Sequence, residues 1–534
     1  MSRIILKNIS YKIPNGTKIF DELSFSFNPE LTGLVGKNGI GKSTLAKIIE
    51  KEMIPESGNV EVFGKVKYLP QNFSELSGKT VADVFLIKEK YDALKRLEEG
   101  IGNKNDLLIL DDDWELENRI DIVKEKMNIS HIDLSRKYDS LSGGEKVKCL
   151  FASLLLSNPD FIILDEPTNH LDYEGREIVY DFVRNWKKGM IVISHDRSLL
   201  RLMNTIVELT SFGLKSYGGN YDFYFDQKEL EDQAFKSQLR NVTSEFKKAI
   251  KQKEEIIQRQ LKRNISGEKK AIKSNMPKIL ANQLKGSGEK TLKKLNDIHN
   301  EKINDIEGKL SEVKSKQRSN YNIKFDLEQN AKQKHSNLVT AEVINFSYDD
   351  SKTLWKENMS FTIYGGERIV LKGKNGSGKT TLLKIIRGEL NSSIGQLSIR
   401  TNKIGSLDQD ASILNDELTL LENIKNASQG KLPEYELRIR LGRFLFYKDD
   451  VFKKVNVLSG GEKMRAGLAC LLSFYNIPDL IILDEPTNNL DLESIQELTN
   501  RLNQFNGAII VVSHDKDFLS DIGIERTINL DEYL

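Results

Sequence analysis

Two long runs of this chain repeat each other, and the repeat constrains the fold more than any other feature. Residues 141–172 read LSGGEKVKCLFASLLLSNPDFIILDEPTNHLD, and residues 458–491 carry the same motifs. In each run a serine and two glycines begin a helix-length segment, where backbone N–H groups can stabilise an anion. A short apolar stretch then ends in an Asp-Glu pair. This order is typical of a buried parallel strand with a magnesium ligand and a water-activating carboxylate at its end.

The repeat extends over both halves of the sequence. Residues 1–225 and 338–534 each contain, in the same order, Gly-x4-Gly-Lys-Ser/Thr, a glutamine, LSGGE, LDEPTN and SHD. Glu166 precedes His195 by 29 residues, and Glu485 precedes His514 by the same 29. Short apolar strands alternate with helix-length segments, which predicts an α/β fold with largely parallel sheets. We therefore expect two domains of one kind, 1–225 and 338–534, separated by a different segment, 226–337.

The two halves differ mainly between the glutamine and the LSGGE motif. This interval is 71 residues long in the first half and 50 in the second. The additional residues surround an acidic stretch at 111–115 in a region with helical character. They form either a longer helical subdomain or a small arm that contacts a partner.

Each half contains a predicted phosphate-binding loop, or P-loop. Residues 36–43, GKNGIGKS, follow the apolar strand Leu31–Val35 and precede a helical segment, the context that a P-loop requires. Lys42 would reach the β- and γ-phosphates and Ser43 would bind Mg²⁺, so ATP and Mg²⁺ are the predicted cofactors. Lys379 and Thr380 have these roles in the second loop. The ATP-binding residues expected in the two loops are Gly36, Asn38, Gly39, Gly41, Lys42, Ser43 and Thr44, and Gly373, Asn375, Gly376, Gly378, Lys379, Thr380 and Thr381.

These motifs carry a family resemblance. LSGGE followed by a strand ending in DEPTN is similar to the ATP-binding cassette family, and EPTN-x-LD in both copies resembles its ABC-F branch of ribosome-acting ATPases. The turn before the middle segment, residues 217–221 (YGGNY), also resembles that branch. The resemblance covers nearly the whole chain. It implies two P-loop ATP-binding cassette domains, ATP hydrolysis to ADP and phosphate, and a long antiparallel, coiled-coil-like two-helix linker between the cassettes.

The resemblance also implies roles for individual residues. Glu166 and Glu485 match the general base or water-positioning group, and His195 and His514 match the switch histidine that senses the γ-phosphate. The D-loop aspartates are Asp172 and Asp491. Composite sites are expected, with the signature of one cassette facing the P-loop lysine of the other. The implied magnesium residues are Ser43, Gln71 and Asp165, and Thr380, Gln409 and Asp484; the signature residues are Ser142, Gly143 and Gly144, which would face Lys379, and Ser459, Gly460 and Gly461, which would face Lys42.

Two tyrosines occupy matching positions ahead of the loops. Tyr11 and Tyr348 each lie 25 residues before the first P-loop glycine. They would either stack on the adenine of ATP, as an aromatic residue of the family does, or lie on an edge strand without contact to nucleotide.

The middle segment differs from both cassettes. Residues 228–335 have apolar positions at helical spacing, with breaks near Gly267, Pro277 and residues 286–288. Two long antiparallel helices with an irregular tip within 265–290 are expected, reaching about 60 Å at 1.5 Å per residue. Residues 247–294 contain 15 Lys or Arg and 4 Asp or Glu, whereas the whole chain has a net charge of only +1. This basic segment indicates a polyanionic partner, or else a solvated helical pair.

Composition excludes several classes of protein. The two cysteines, Cys149 and Cys470, provide neither a disulfide framework nor a zinc cluster and are expected in helix cores. No run of 18 apolar residues occurs, and the N-terminus has no apolar signal region. We expect a cytoplasmic protein without a membrane partner, monomeric, with its two cassettes paired within the chain.

The resemblance gives a functional hypothesis with alternatives. The protein would bind the ribosome, through rRNA and tRNA, at the tRNA exit site in its ATP-closed form. Its linker would act on the peptidyl-transferase region and protect the ribosome from antibiotics. The alternatives are a housekeeping translation factor that relieves stalled ribosomes, the ATPase subunit of a membrane exporter, and a chromosome-maintenance or DNA-repair ATPase.

Overall fold

A computed structural model gives the fold of the chain. It describes residues 2–13, 16–71, 76–169, 171–273, 278–315, 336–349, 352–401, 403–444, 446–473 and 478–534. The chain divides into two compact units. The two cassettes together form one unit (Met1–Tyr224 and Lys324–Leu534), and the helical segment Phe225–Ile323 forms the other. The predicted limits of the three segments, 225/226 and 337/338, stay predictions.

The first cassette has a parallel core sheet and a small antiparallel sheet. Its strands are β1 (Arg3–Lys12), β2 (Lys18–Phe27), β3 (Leu31–Val35), β4 (Ser57–Phe63), β5 (Val66–Leu69), β6 (Phe161–Asp165), β7 (Gly189–Ile193), β8 (Thr205–Thr210) and β9 (Gly213–Tyr217). The core sheet has the order β5-β6-β7-β3-β8-β9, parallel except for the β8–β9 pair, and the antiparallel sheet has the order β2-β1-β4. Every residue of β6 and β7 is buried, as expected for central strands with both faces covered.

Helices cover the core sheet of the first cassette. They are α1 (Lys42–Glu50), α2 (Val81–Val84), α3 (Lys88–Glu98), α4 (Lys104–Leu110), α5 (Leu116–Lys126), α6 (Gly143–Ser157), α7 (Tyr173–Asn185) and α8 (Arg197–Leu200). The additional residues of the first cassette therefore form a helical subdomain, and α3, α4 and α5 lie within or beside them. Whether this subdomain contacts a partner stays open.

The two linker helices are α9 (Tyr221–Lys273) and α10 (Lys278–Ser315). Within the helical unit, Lys253 Nζ donates a hydrogen bond to Asn300 Oδ1 over 2.6 Å, as in an antiparallel pair. The end of α9 and the start of α10 both lie within the range 265–290 predicted for the tip, although α9 continues through Gly267 and α10 through residues 286–288. An isolated glycine costs a helix only about 1 kcal/mol and does not end it. Residues 274–277, which include Pro277, lie outside the described residues.

The second cassette repeats the plan of the first. Its strands are β10 (Asn337–Asn345), β11 (Met359–Tyr364), β12 (Arg368–Lys372), β13 (Ile394–Ile399), β14 (Ile404–Leu407), β15 (Leu480–Asp484), β16 (Ala508–Val512) and β17 (Arg526–Asn529). The parallel core sheet has the order β14-β15-β16-β12-β17. Its helices are α11 (Lys379–Ile386), α12 (Leu420–Ala427), α13 (Glu434–Arg443), α14 (Gly460–Leu471), α15 (Leu492–Gln504) and α16 (Lys516–Asp521).

The cysteines lie where the sequence predicts them. Cys149 in α6 and Cys470 in α14 are both free and buried. Among the described residues, no helix is long and apolar enough to cross a membrane.

Candidate nucleotide sites

Each P-loop connects a buried central strand to a helix that begins at the loop lysine. Gly41, at the start of α1, has φ 106°, and a methyl group added there would lie 2.9 Å from the ring of Phe20. Gly378, at the start of α11, has φ 92°, and a methyl group there would lie 3.0 Å from the ring of Trp355. Neither helix start is capped by a side chain. The free N–H groups of the first turn are therefore available to an anion.

The loop lysines extend back over their loops. Lys42 Nζ donates to the carbonyl oxygens of Gly36 at 2.7 Å and Lys37 at 3.2 Å, and Lys379 does the same to Gly373 and Lys374. Burial lowers the pKa of Lys42, and the nearby carboxylates of Glu166, Asp491 and Asp165 oppose that shift. An ammonium group at this position fits a polyphosphate. The phosphates would supply a negative charge opposite the lysine, whereas the loop carbonyl groups supply only partial negative charges.

The predicted metal ligands meet at the ends of strands β6 and β15. Asp165 accepts hydrogen bonds from Ser43 and from the hydroxyl of Tyr68, the latter at 2.9 Å. In the second cassette a cavity of about 240 Å³ is lined by eleven residues, which include Thr380, Gln409 and Asp484. A carboxylate, a hydroxyl and an amide oxygen are the ligand types that Mg²⁺ prefers, so the residues present fit this ion.

The predicted general bases and switch histidines face each other in both cassettes. His195 Nε2 lies 3.5 Å from Glu166 Oε1, and His514 Nε2 lies 3.3 Å from Glu485 Oε1. Glu166 has φ 48° and Glu485 has φ 49°, a left-handed conformation that is uncommon for a glutamate. Each backbone N–H donates to the neighbouring strand, to Ile193 or Val512, over 2.8 Å. Strain of this kind, repeated in both copies, is typical of a functional position.

Burial controls the protonation of these groups. It raises the pKa of Glu166 to about 8 and that of Glu485 to about 7, because ionised carboxyl groups lose hydration there. The same burial lowers the pKa of His195 to about 3 and that of His514 to about 4. The histidines are therefore neutral at physiological pH and can accept or donate one hydrogen bond at each ring nitrogen. Both ring nitrogens of His195 and Glu485 Oε2 are buried without a hydrogen-bond partner among the described residues.

The signature residues begin helices α6 and α14. The hydroxyl groups of Ser142 and Ser459 each cap their helix by accepting a hydrogen bond from the backbone N–H of Glu145 or Glu462. The carboxylate of that glutamate in turn accepts a hydrogen bond from the backbone N–H of the serine. Gly143, Gly144, Gly460 and Gly461 form the first turns. The exposed N-terminus of each helix is thereby held rigidly by a capping box.

The second cassette's signature and D-loop lie against the first cassette's P-loop. The backbone N–H of Asn38 donates to Asp491 Oδ2 at 3.0 Å, and Asn38 Nδ2 donates to the carbonyl oxygen of Asn489 at 2.6 Å. A methyl group added at Gly461 would lie 2.7 Å from Asn38 Nδ2. We name this composite arrangement the first site. This arrangement places the first P-loop, which contains Lys42, beside the signature of the second cassette, which begins at Ser459.

The converse arrangement, the second site, pairs the second P-loop with the first cassette. Lys374 Nζ lies 2.7 Å from Glu174 Oε1, which mirrors the 2.9 Å pair of Lys37 with Glu493 at the first site. Asn375, the counterpart of Asn38, has no hydrogen bond to the first cassette in the part of the chain that the structure describes. The described contacts at the two sites therefore differ; the residue that matches Asn489 is His170, which lies outside the described residues. In keeping with this, Lys42 is buried and Lys379 is half-buried.

Four predicted residues lie less clearly at a site. Gln71 and Gln409 are both exposed, and only Gln409 has a described site contact, as part of the cavity with Asp484. Tyr11 lies in β1 and is half-buried, whereas Tyr348 is 68% exposed and its hydroxyl lies 2.7 Å from Thr381 Oγ1. Adenine stacking by these tyrosines stays a prediction.

Sequence reasoning missed two residues that the structure places at the sites. Tyr68, three residues before Gln71, bonds to Asp165, and Arg176, four residues after the D-loop aspartate, is buried at the cassette interface. Their counterparts in the second cassette are Ser406 and Ile495. Each therefore breaks the repeat beside a predicted site residue, and that break is the signal that could have revealed them.

The fold and the two sites define a twin-cassette P-loop nucleotide-hydrolysing protein. The family described as ABC transporter matches residues 20–169 and 356–488. Similar proteins include the ABC transporter ATP-binding protein YkpA of Bacillus subtilis, at 32% identity over 99% of this chain and 97% of YkpA. ABC transporter F family member 2 of Arabidopsis thaliana is 30% identical over 98% of this chain and 74% of its own length. Protein Uup of Haemophilus influenzae is 31% identical over 98% of this chain and 78% of Uup.

Solved structures share the fold. RNase-L Inhibitor aligns with a TM-score of 0.57 at 20% identity, over 98% of this chain and 87% of that chain. A complex that contains archaeal ribosome recycling factor aABCE1 aligns with a TM-score of 0.57 at 18% identity, over the same shares of the two chains.

The chain belongs to the ATP-binding cassette family and to its F branch. It is an ATPase that uses ATP with Mg²⁺. ATP supplies the γ-phosphoryl group that is transferred to water, and the metal ion would neutralise the charge of the phosphates. The P-loops would hold the phosphate chain, and the groups at the ends of β6 and β15 would hold the metal ion. Glu166 and Glu485 would orient and deprotonate a water molecule.

Replacement of Asn38 by alanine tests the unequal contact of the cassettes. Asn38→Ala removes the amide that donates to the carbonyl oxygen of Asn489 and loosens the backbone bond to Asp491. The lost bond goes to an uncharged carbonyl oxygen, and such a hydrogen bond contributes about 0.5–1.5 kcal/mol, so we expect the KM for ATP to rise about two- to tenfold. Asn375→Ala is the matched control and should raise the KM much less. Equal effects of the two substitutions on steady-state hydrolysis would show that the sites close alike.

The buried glutamates predict how the stability of the nucleotide-free protein depends on pH. Their pKa values are raised on folding. Their contribution to the free energy of unfolding is therefore present at low pH and is lost as pH rises through about 7 for Glu485 and about 8 for Glu166. The histidines have lowered pKa values and contribute little change above pH ~6.5, the ordinary histidine value. Between about pH 7 and pH 9 the wild type should lose about 2 kcal/mol of unfolding free energy relative to Glu166→Gln/Glu485→Gln.

Urea unfolding in EDTA measures this difference. The control is Glu52→Gln/Glu357→Gln, which replaces two exposed glutamates. The control should keep the wild-type slope with pH. A glutamine double variant whose slope equals that of the wild type would contradict raised pKa values at Glu166 and Glu485.

Proposed function

We propose that this protein is a translation-related ATPase that binds the ribosome in its ATP-closed form. The basic linker helices would contact rRNA and tRNA, at the tRNA exit site and toward the peptidyl-transferase region. The proposal rests on one observation above all, a strongly basic pair of helices inserted between two ATP-dependent cassettes. It implies a cytoplasmic protein that acts as a monomer, with its cassettes paired within the chain.

The charge of the linker supports an RNA partner. Most of the described basic residues of α9 are exposed, whereas Lys228, Lys236 and Lys253 are half-buried. In α10, Leu310 and Val313 are buried, while Lys293 and Lys294 are exposed. Phosphate groups attract such a surface without base-specific contacts, and binding then weakens steeply with salt. The exposed basic residues in question are Lys247, Lys248, Lys251, Arg259, Lys262 and Arg263.

The composite sites support ATP-dependent binding. ATP bound at a P-loop would also meet the signature of the opposite cassette, so it favours the closed arrangement over an open one. A partner that binds only the closed form is then bound when ATP is present and released after hydrolysis, through its differential affinity for the two states. Relatives point the same way, because proteins of this fold include one described as a ribosome recycling factor and one described as ribosome-bound ABCE1.

Co-sedimentation of a trapped variant tests the proposal. Glu166→Gln/Glu485→Gln keeps the shape of both sites and removes the general bases, so ATP should hold the cassettes closed. We expect this variant to pellet with ribosomes in ATP and not in ADP, and to be released as salt rises. Absence from the ribosome pellet, with two ATP molecules bound per chain, would overturn the ribosome proposal. Recovery with membrane vesicles instead would favour an exporter subunit.

The linker is tested in the same assay by a charge-neutral variant. Lys247→Gln/Lys248→Gln/Lys251→Gln should weaken pelleting and lower the salt slope by about one for each phosphate that a lysine no longer neutralises. The control neutralises three exposed lysines of the first cassette, Lys7, Lys12 and Lys18, whose surface ion pairs contribute little. Equal weakening by both variants would show that the linker has no special part in binding.

Protection of the ribosome from antibiotics is the finer form of this proposal. A linker whose helices comprise 53 and 38 residues can extend far enough to affect a catalytic centre that lies deep in a partner. Expression in a susceptible bacterium should raise the minimum inhibitory concentration of at least one drug that acts at the peptidyl-transferase centre. The linker charge variant above should reduce that rise. No change for any such drug would leave the role of a translation factor that relieves stalled ribosomes.

A further inference from the structure

A buried arginine lies between the two nucleotide sites. Arg176, in the first turns of α7, is only 8% exposed, and charged side chains are seldom buried to this degree without a role. Its Nε donates to the carbonyl oxygen of Leu171, the residue before the D-loop aspartate, over 3.3 Å. Its NH1 lies 3.5 Å from Asp196 Oδ2. One guanidinium group thus joins the D-loop of the first cassette to the switch loop of the same cassette.

The partner carboxylate belongs to the first site. Asp196 follows the switch histidine His195 directly and caps α8 by accepting a hydrogen bond from the backbone of Leu199 at 3.1 Å. Tyr180, one turn further along α7 than Arg176, donates to Asp196 Oδ2 at 2.6 Å. A change in the position of the switch loop would therefore be transmitted to α7 through Arg176 and Tyr180.

The start of α7 also lies against the second site. Glu174 is paired with Lys374 of the second P-loop, and Lys516 Nζ lies 3.4 Å from the hydroxyl of Tyr173 and 4.7 Å from the centre of its ring. Lys516 comes two residues after His514. The residues that precede Arg176 in α7 thus contact both the P-loop and the switch segment of the second cassette.

The charge of Arg176 acts on the catalytic groups of that second site. Burial raises the pKa of Glu485, and among the cations that oppose this shift Arg176 has a larger effect than Lys379, the P-loop lysine of the same site. Arg176 also adds to the lowering of the pKa of His514, which burial begins. Glu485 Oε2 is buried without a hydrogen-bond partner among the described residues.

The first site has no such group at the matching position. That position of α15 holds Ile495, which is 1% exposed and packs in the core of the second cassette. Thr499 replaces Tyr180 and bonds to the carbonyl oxygen of Ile495 instead of to a switch-loop carboxylate. Arg176 therefore connects the first switch loop to the second site, and the matching position of α15 provides no such connection from the second switch loop to the first site.

We propose that Arg176 is a positioning residue for hydrolysis at the second site. It holds the D-loop of the first cassette to that cassette's switch loop, in the helix whose first residues contact the P-loop and the switch segment of the second cassette. Because α7 belongs to the opposite cassette, these contacts with the second site exist only while the cassettes are together. Hydrolysis at the second site thereby depends on cassette closure and on the state of the first switch loop.

Single-turnover hydrolysis in two backgrounds tests the proposal. Glu166→Gln leaves only the second site able to hydrolyse ATP, and Glu485→Gln leaves only the first. Arg176→Met, of similar length and without charge, should slow the single-turnover rate about 10- to 100-fold in the Glu166→Gln background, the range for loss of a charged hydrogen bond. In the Glu485→Gln background it should slow the rate by less than about threefold. An equal or larger loss at the first site would overturn the proposal.

Further variants separate positioning from support of the fold. Arg176→Lys keeps the charge and should recover most of the lost rate, whereas equal rates for the lysine and methionine variants would contradict a role for the charge. Arg184→Met, at an exposed arginine of the same helix, is the matched control and should leave both rates unchanged.

Nucleotide retention gives a reading that is independent of hydrolysis. In the Glu166→Gln/Glu485→Gln protein, Arg176→Met should speed the loss of one of the two bound ATP molecules during gel filtration and leave the other unchanged. If both molecules are retained as before, or both are lost together, the proposed role at one site is wrong. Thermal unfolding of each variant without nucleotide shows whether the protein is folded.

Discussion

The end of a doubly covered parallel strand is the constraint on which both sites depend. Strand β6 is buried along its length and β15 up to its last residue, so their functional groups can meet a ligand only at the strand ends. Asp165 and Asp484 stand at those ends, followed by Glu166 and Glu485. Burial there raises the pKa of each glutamate and lowers the pKa of the facing histidine. Each glutamate is therefore a stronger base than an exposed one, and the histidine beside it is neutral.

Pairing of the two cassettes supplies what each one lacks. A single cassette carries a P-loop and a carboxylate pair but presents its signature away from its own loop. Asn38 reaches Asp491 and Asn489 of the second cassette, and Lys374 reaches Glu174 of the first, so each loop is completed from the opposite side. The same contacts would make the protein responsive to nucleotide, because ATP bound between the cassettes would favour their association.

The two sites are related by the repeat but are not equivalent. Tyr68 holds Asp165 at the first site, where the second cassette has Ser406 at the matching position of β14. Arg176 lies between the sites, where the matching residue is the core residue Ile495. Such differences allow one site to control the pace of the other while both retain the full set of predicted residues.

The sequence by itself determined the repeat, the α/β class, the strands at Leu31–Val35 and 161–164, and the order of the site motifs, because these follow from local apolar patterns and short-range glycine chemistry. The ends of the linker helices were predicted only as a range, 265–290, since Gly267 alone does not stop a helix that extends from Tyr221 to Lys273. Only the tertiary structure decided how the cassettes meet. The contact of Asn38 with Asp491 joins residues 453 positions apart, and the position of Arg176 between two sites depends on packing that no local pattern encodes.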